Sequence, residues 1–304
     1  MKTYQTQLHC AWLVGEIDPK QIEALAAAGI EAVESHATHI PIEKAREGRR
    51  ICEANGIKIH SVMRGANFNR DATYRSDVEA MIHAMRVAAA YGASTILCVP
   101  GRVEPPRVSP DKFKIQFDPE TLELKSLTEN DDEIPEIERY IAAQNYATKA
   151  TRERLPQLFK VAAYEGIRIG LENVWNNLWC SPEFYAAFVH SFDSPWVGSY
   201  FDLGNHVKYA PTEKWLRALG KNTIVKMHFK DFLYDPSSSS LGSFVPIGTG
   251  SNDWKLIRDV IEEIEYNGFL TLEFEESESQ KLTIQQQVQK FKNFFAGEDI
   301  LKGV

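Results

Sequence analysis

The chain has 304 residues, of which 43% are hydrophobic and 25% are charged, and its formal net charge is −8. The composition is that of an ordinary globular protein, and the length suits one large α/β domain or two smaller ones. An acidic chain with no basic stripe argues against a nucleic-acid-binding protein, and no stretch approaches the ~18 apolar residues of a membrane span.

Eight short segments rich in β-branched and apolar residues are typical of buried parallel strands. In chain order they are 7–14, 30–36, 57–63, 94–101, 167–174, 197–204, 223–231 and 269–275. Helix patterns cover 18–29, 41–56, 75–92, 145–166, 212–220 and 253–268, and several end in glycine just before the next strand. Eight near-regular units without a glycine-rich phosphate motif favour an α/β fold of the (β/α)8 TIM-barrel type over a doubly wound sheet.

Two segments interrupt this alternation. Residues 102–135 are too long for a strand–helix connection, and within them "KFKIQF" and "TLELKSL" can pair as a hairpin around "DPE". Residues 232–252 carry a serine run typical of a loop tip. Because no linker divides the chain, we predict one barrel domain, residues 1–304, with an insertion at about 102–135 that lies over the active face.

The N-terminal residues and the cysteines indicate the compartment. The N-terminal stretch lacks the apolar region and cleavage site of a signal peptide. The four cysteines form no CxxC pair and no cluster, which fits a reducing environment. We therefore expect a cytoplasmic protein without membrane or nucleic-acid partners.

The last four predicted strands each place one carboxylate or imidazole near the C-terminal end, where barrels build active sites. These residues are Glu172 in "GLENVW", Asp202 in "YFDLGN", His228 in "MHFKD" and Glu273 in "LTLEFE". Three carboxylates gathered in one place repel each other unless a cation is present, so the set predicts a divalent metal, Mn²⁺, Mg²⁺, Co²⁺ or Zn²⁺. Any one of these residues also suits a helix cap or a loop hydrogen bond, and spacing does not exclude that role.

The chemistry of such a site follows from its open coordination positions. A divalent metal there would polarise a hydroxy-carbonyl group and stabilise a developing enediolate. If Glu172 and Glu273 flank the substrate, one can take a proton from carbon while the other returns one.

Five motifs, "LEN", "FDLGN", "MHFKD", "PIGTGSNDW" and "YNGFLTLEFE", occur in an order that resembles the xylose-isomerase-like TIM-barrel superfamily of sugar-phosphate isomerases and epimerases. The resemblance is closest to the L-ribulose-5-phosphate (L-xylulose-5-phosphate) 3-epimerase branch. It is strong over 160–280, weaker over 1–100, and does not account for 102–135.

The resemblance implies a metal held by Glu172, Asp202, His228 and Glu273, with the two glutamates as the acid/base pair of C3 epimerisation. Glu275, two residues further on the same strand face, is the alternative to Glu273. The resemblance also suggests a homodimer or homotetramer.

The chain departs from the free-ketose 3-epimerases of this superfamily. Those enzymes have a histidine three residues after the metal aspartate and an arginine six residues after the metal histidine, where this chain has Asn205 and Tyr234. This argues against a free-ketose enzyme of that type. The candidates for substrate binding are Lys230, Asn205, His206, Trp175, Arg64 and His60, with Glu34 as a weaker one. The "GTGSND" turn suits either a phosphate or a simple turn.

The sequence therefore predicts a divalent-metal-dependent epimerase or isomerase acting at C3 of a ketose or ketose phosphate. A dehydratase or lyase on a keto-sugar or inosose, using the same site, is the alternative, because the insertion would reshape substrate access. Two further hypotheses are an endonuclease-IV-like phosphodiesterase, which needs more histidine ligands at strand ends, and a barrel that binds a sugar without catalysis.

Overall fold

Eight parallel strands close into a barrel in the computed structural model, which describes residues 3–106, 108–131, 134–274 and 282–304. The barrel strands are β1 (Leu8–Val14), β2 (Ala32–Ser35), β3 (Lys58–Gly65), β4 (Thr95–Val99), β7 (Arg168–Glu172), β8 (Val197–Asp202), β9 (Ile224–Phe229) and β12 (Gly268–Leu272). They follow one another around the barrel in chain order, and β12 pairs with β1 to close it. The predicted (β/α)8 TIM barrel is confirmed.

Close packing inside the barrel explains two glycines. A Cβ at Gly170 of β7 would lie 2.9 Å from the Cβ of Tyr200 on β8 and 2.8 Å from a methyl group of Val225. At Gly198, the residue paired with Gly170, a Cβ would lie 2.4 Å from the carbonyl oxygen of Thr223. Glycine at position 170 therefore leaves space for the bulky Tyr200 side chain, and glycine at position 198 lets the backbone of Thr223 approach closely.

Helices cover the outside of the barrel. They are α1 (Pro19–Ala28), α2 (Ile42–Ala54), α3 (Tyr74–Tyr91), α4 (Pro135–Arg154), α5 (Phe159–Glu165), α6 (Pro182–His190), α7 (Thr212–Leu219), α8 (Trp254–Glu263) and α9 (Ile284–Ala296). Gly29, Gly92 and Gly166 end α1, α3 and α5 in the left-handed conformation, as the sequence predicts. None of the described helices is both long and apolar enough to cross a membrane.

Two helices have no counterpart among the patterns above. The α6 helix begins after Ser181, whose hydroxyl accepts the N–H of Phe184 at 3.3 Å, and the α9 helix begins with a capping box at Thr283. The pattern predicted over 145–166 contains a break: Pro156 lies in a short 3₁₀ turn, Leu155–Leu158, that separates α4 from α5.

In the part of the chain that the structure describes, two hairpins lie outside the barrel. The strands β5 (Gln116–Phe117) and β6 (Leu124–Ser126) pair antiparallel, which confirms the hairpin predicted within 102–135. The strands β10 (Asp231–Tyr234) and β11 (Gly242–Val245) form the second, where the sequence predicted only a loop. The seventh barrel strand is accordingly shorter than predicted, ending at Phe229. The assignment of residues 1–304 to one domain stays a prediction.

Candidate metal centre and its cavity

Four polar side chains converge at the C-terminal end of the barrel. Glu172 and Asp202 are the last residues of β7 and β8, His228 is the penultimate residue of β9, and Glu273 follows β12 directly. Each offers one ligand atom, and these atoms lie within 4.8 Å of one another. The barrel places the four together because adjacent parallel strands end at the same rim.

His228 lies at the centre of this group. Its Nδ1 is 2.8 Å from Oε2 of Glu273, 3.6 Å from Oε1 of Glu172 and 3.7 Å from Oδ2 of Asp202. The histidine has no exposed side-chain surface, and Glu273 is the most exposed of the four, at 21%. The four residues thus form a buried cluster that opens on the Glu273 side.

Buried polar atoms without hydrogen bonds show whether this cluster suits a metal. Oδ2 of Asp202, Nδ1 of His228 and Oε2 of Glu273 are buried, and none makes a hydrogen bond of good geometry, although the last two atoms lie only 2.8 Å apart. An unpartnered buried polar atom costs about 1–3 kcal/mol, and one cation among these atoms would satisfy all three. Three carboxylates and one imidazole are also a donor set that Mn²⁺, Mg²⁺, Co²⁺ and Zn²⁺ accept. The residues present therefore fit a divalent ion.

A second buried layer holds the histidine. Nε2 of His228 lies 3.0 Å from Oε2 of Glu34, and neither side chain is exposed. The hydroxyl of Tyr200 donates to the same Glu34 oxygen at 2.5 Å, and the hydroxyl of Ser61 approaches the other oxygen at 3.4 Å. Glu34, a weak candidate for facing the substrate, instead lies beneath His228, and it favours the tautomer that leaves Nδ1 directed at the cluster.

The two glutamates have opposite electrostatic environments. Burial raises the pKa of Glu172 to about 7, although the neighbouring His228 opposes this shift. Burial also acts to raise the pKa of Glu273, but the charges of His228 and Lys230 outweigh it and hold that pKa below its ordinary value. Burial acts to lower the pKa of His228, yet the carboxylates of Glu273 and Glu34 raise it well above its ordinary value. Without metal, one glutamate thus keeps its proton near neutral pH while the other is ionised.

A cavity of about 470 Å³ lies above the cluster, within the size range of small-molecule sites. Its wall includes both glutamates and four of the predicted substrate-binding residues, Lys230, Asn205, Trp175 and Arg64. The structure therefore brings these four together with the candidate metal ligands.

Lys230 and Asn205 contact the two glutamates directly. Nζ of Lys230 lies 3.0 Å from Oε1 of Glu273, and Nδ2 of Asn205 approaches Oε1 of Glu172 at 3.4 Å. The backbone N–H of Asn205 also donates to Oδ1 of Asp202 at 2.7 Å. Both residues thus orient the carboxylates of the cluster.

Two aromatic rings close one side of the cavity. Trp175 stacks on Phe244 with ring centroids 5.0 Å apart, and its indole N–H donates to the backbone carbonyl of Asn205. Phe244 belongs to β11, so the second hairpin forms part of this wall. Phe244 is not among the residues predicted from the sequence, and nothing in the serine-rich segment around it signals this position.

His60 and His206 lie away from the cavity. The ring of His60 stacks on Phe269 at 4.6 Å, and its Nε2 lies 3.0 Å from Oγ1 of Thr271, toward the opposite end of the barrel. His206 places its Nε2 3.1 Å from the carbonyl oxygen of Val174. Burial lowers the pKa of both histidines, that of His206 to about 3. The structure therefore gives both rings a position inside the protein core, without contact with the cavity.

The glycine turn "GTGSND" has an internal partner. The N–H groups of Gly248 and Gly250 both donate to Oδ2 of Asp231 at 2.9 Å, and the indole N–H of Trp254 approaches the same oxygen at 3.2 Å. Because Asp231 already accepts these donors, the turn anchors the second hairpin and leaves neither glycine N–H for a phosphate. Glu275, the alternative ligand, lies outside the described residues.

Comparison with known proteins identifies the family of this barrel. A sequence model described as the xylose isomerase-like TIM barrel matches residues 22–294. A search among curated proteins found no match.

Similar solved structures cover nearly all of the chain. A xylose isomerase domain protein from Planctomyces limnophilus has a TM-score of 0.66 at 19% identity, over 98% of this chain and 97% of that one. A D-allulose 3-epimerase from Methylomonas sp., in complex with D-allulose, has a TM-score of 0.62 at 16% identity, over 90% and 87%. A mannonate dehydratase from Streptococcus suis serotype 2 has a TM-score of 0.66 at 13% identity, over 95% and 94%. At these identities the likeness establishes the fold alone.

Proposed function

The chain belongs to the xylose isomerase-like TIM barrel family, and on this premise we propose that it is a divalent-metal-dependent epimerase or isomerase acting at C3 of a ketose or ketose phosphate. The family includes both epimerases and dehydratases, so the fold does not select the reaction. The sequence resemblance to the L-ribulose-5-phosphate 3-epimerase branch supports an epimerase.

One observation carries the proposal. Glu172 and Glu273 both line the same cavity, and their pKa values are shifted in opposite directions. Two carboxyl groups with one proton between them, facing one substrate space, are what removal and return of a carbon-bound proton requires. The same pair is also half of the candidate metal cluster.

Each residue has a defined part in this reaction. A divalent ion held by Glu172, Asp202, His228 and Glu273 would supply Lewis-acid polarisation of the substrate oxygens beside C3. Glu273, held ionised by Lys230, takes the proton from C3, and Glu172 passes a proton to the other face through the carboxyl oxygen that does not hold the ion. Lys230 keeps Glu273 ionised, since its ammonium lies 3.0 Å away.

The aromatic wall serves the same step. Trp175 and Phe244 exclude water from the space beside the glutamates, which strengthens the electrostatic interactions there and protects a carbanionic species from solvent. Removal of water is most needed at the step in which C3 carries negative charge.

Proton exchange at C3 tests the proposal directly. Protein loaded with Mn²⁺ is incubated in D₂O with a panel of ketoses and ketose phosphates, the metal is stripped, and the C3–H signal is followed by NMR. We expect loss of that signal together with a new C3 epimer for at least one compound. In the Glu172→Gln and Glu273→Gln variants the exchange rate should fall about 10²–10⁴-fold.

A control separates this effect from general charge loss. Glu183 is exposed in the first turn of α6, and the Glu183→Gln variant should exchange like the unchanged protein. Aldose formation would point to isomerisation instead. No exchange on any compound with metal bound, or near-normal exchange in either glutamine variant at the cluster, would refute the two-carboxylate reaction.

A dehydratase or lyase acting on a keto-sugar or inosose is the second candidate, and the position of the insertion favours it. Val103 donates its N–H to the carbonyl of Asn176 at 3.0 Å, and Asn177 donates its amide to the carbonyl of Val103 at 2.9 Å. The insertion is thereby tied to the loop that carries Trp175, beside the cavity. With an inosose and a keto-sugar added to the panel of the NMR experiment, elimination would appear as loss of water from one of them without any epimer.

A further inference from the structure

A group of basic side chains lies on the β2–β3 side of the cavity. No carboxylate of the described residues forms an ion pair with it. It consists of His36, His39 and Arg64, of which His36 and Arg64 line the cavity. Arg64 is the penultimate residue of β3, so its side chain rises from the same rim as the cluster. Its Nη1 lies 2.6 Å from Nε2 of His39 and 3.5 Å from Oγ1 of Thr38.

The guanidinium of Arg64 is not neutralised by any carboxylate of the described residues. A guanidinium only donates hydrogen bonds, so the His39 nitrogen that faces it accepts one. An imidazole has no negative charge, so this contact does not neutralise the arginine. Nε of Arg64 is buried without a hydrogen-bond partner. A half-buried cation without a counter-charge is costly, and an arginine fork of this kind recognises carboxylate and phosphate groups in two-point contacts.

Among the described residues, the other charges around the cavity balance one another once a metal is bound and both glutamates are ionised. Glu172, Asp202 and Glu273 carry three negative charges, a divalent ion would carry two positive ones, and Lys230 adds one. Glu34 lies beneath His228 outside the cavity wall, and its charge acts on His228 and, on the far side, on Lys226. The positive charge of Arg64 is therefore left to be neutralised by a group of the substrate.

We infer that Arg64 binds a terminal oxyanion of the substrate, a phosphate or a carboxylate, and that the enzyme acts on an anionic sugar and not on a neutral ketose. This inference rests on the proposed function, because it concerns the substrate of the same cavity.

Binding of unreactive polyols tests the inference without turnover. Titration calorimetry on the Mn²⁺-loaded protein compares D-arabitol, D-arabitol 5-phosphate and D-lyxonate, which share a carbon chain and differ only in the group at C5 of D-arabitol. At least one anionic compound should bind about tenfold or more tightly than D-arabitol, a difference of about 1.4 kcal/mol. Preference for the phosphate or for the carboxylate identifies the group.

Three variants assign that preference to Arg64. Arg64→Met should bring the three dissociation constants to within about threefold of one another, and Arg64→Lys should keep part of the preference because it keeps the charge. Arg70→Met removes an exposed arginine that does not line the cavity and should behave like the unchanged protein. Metal content and thermal midpoint are measured for each variant, and the lysine variant decides the matter if the methionine variant does not fold.

The outcomes separate this inference from the proposed function. Equal binding of all three polyols, or a preference that persists in Arg64→Met because the anion contacts the metal, would overturn the role of Arg64. Loss of the preference in Arg64→Met would support it even if no ketose exchanges its C3 proton. Exchange on a neutral ketose, unchanged in Arg64→Met, would support the epimerase and reject the anionic substrate.

Discussion

Glu34 and His228 form a hydrogen-bonded pair inside the barrel, with Oε2 of the glutamate 3.0 Å from Nε2 of the histidine. Neither side chain has exposed surface. The pair orients the imidazole so that Nδ1 faces Glu172, Asp202 and Glu273. A buried carboxylate behind a ligating histidine is a common means of fixing its tautomer and raising its basicity.

Replacing Glu34 should therefore weaken metal binding. In Glu34→Gln the carboxylate charge behind His228 is lost, and we expect the Mn²⁺ affinity to fall about 10–100-fold. The measurement is competition calorimetry with a chelator of known affinity. The matched control is Glu31→Gln. Glu31 is exposed just before β2 and contacts the His9 ring, so this variant should leave the affinity unchanged. Equal affinities in the two variants would show that Glu34 does not position the ligand.

Metal removal should destabilise the protein through the charges that it leaves behind. A metal that binds only the folded state adds about 2.7 kcal/mol at about one hundred times its Kd, which raises the thermal midpoint by several degrees. Asp202→Asn should abolish this rise, because Oδ2 loses its charge. The metal-free variant should be no less stable than the metal-free parent. Its side-chain oxygen can still accept the N–H groups of Gly204 and Asn205, which lie 2.7 Å from Oδ1.

A calorimetric scan with and without Mn²⁺ checks this prediction. Asp18→Asn is the control, since both residue types cap a helix and Asp18 lies at the exposed start of α1. A midpoint of Asp202→Asn that still rises with metal, as it does in the control, would contradict the ligand role of Asp202.

The metal affinity should depend on pH in a defined direction. Burial raises the pKa of Glu172 to about 7 in the metal-free protein, so below pH 7 a proton occupies a ligand that the metal needs. The raised pKa of His228 adds a second competing proton. The affinity should therefore fall as the pH falls from about 8 to 5.5, by up to about tenfold per pH unit for each displaced proton. Calorimetry in buffers of different ionisation enthalpy counts the protons released, and a pH-independent affinity would exclude this competition.

The raised pKa of Glu172 has the opposite effect on the stability of the metal-free protein: the metal affinity rises with pH, but the free energy of unfolding falls. Between its ordinary pKa of 4.5 and about 7, Glu172 holds its proton more tightly in the folded than in the unfolded state. The contribution of Glu172 to the free energy of unfolding therefore decreases as the pH rises through this window. Urea unfolding of the chelated protein should show this decrease, and Glu172→Gln should reduce it.

The barrel and its cluster were predictable from the sequence because both depend on local signals. Each of the last four barrel strands is a short apolar run with one polar residue at or just beyond its end, and the parallel topology alone brings such ends together. The α6 helix, absent from the predicted elements, also has a local signal, Ser181 followed by Pro182.

The depth of a side chain along the barrel axis was not predictable. Alternation along β3 shows that His60 points inward, but it does not show that the ring lies near Phe269 and far from the rim. The second hairpin depends on a contact between Asp231 and glycines 17 and 19 residues later in the chain, which no local pattern reveals. Phe244 reaches the cavity as part of that hairpin.

Gly250 should be essential for this hairpin. A Cβ at this position would lie 2.3 Å from Oδ1 of Asp231 and 2.7 Å from the carbonyl oxygen of Phe232, so alanine would push the carboxylate away from its N–H partners. Because the hairpin carries Phe244 into the cavity wall, we expect Gly250→Ala to raise the KM for the substrate identified by exchange. The barrel should keep its circular dichroism spectrum, since the clash lies outside the barrel strands. Ser240→Ala, at the exposed tip of the same hairpin, is the control and should leave the KM unchanged. A KM that rises equally in both variants would show that the tip contacts the substrate, and an unchanged KM in Gly250→Ala would show that Asp231 does not hold the wall in place.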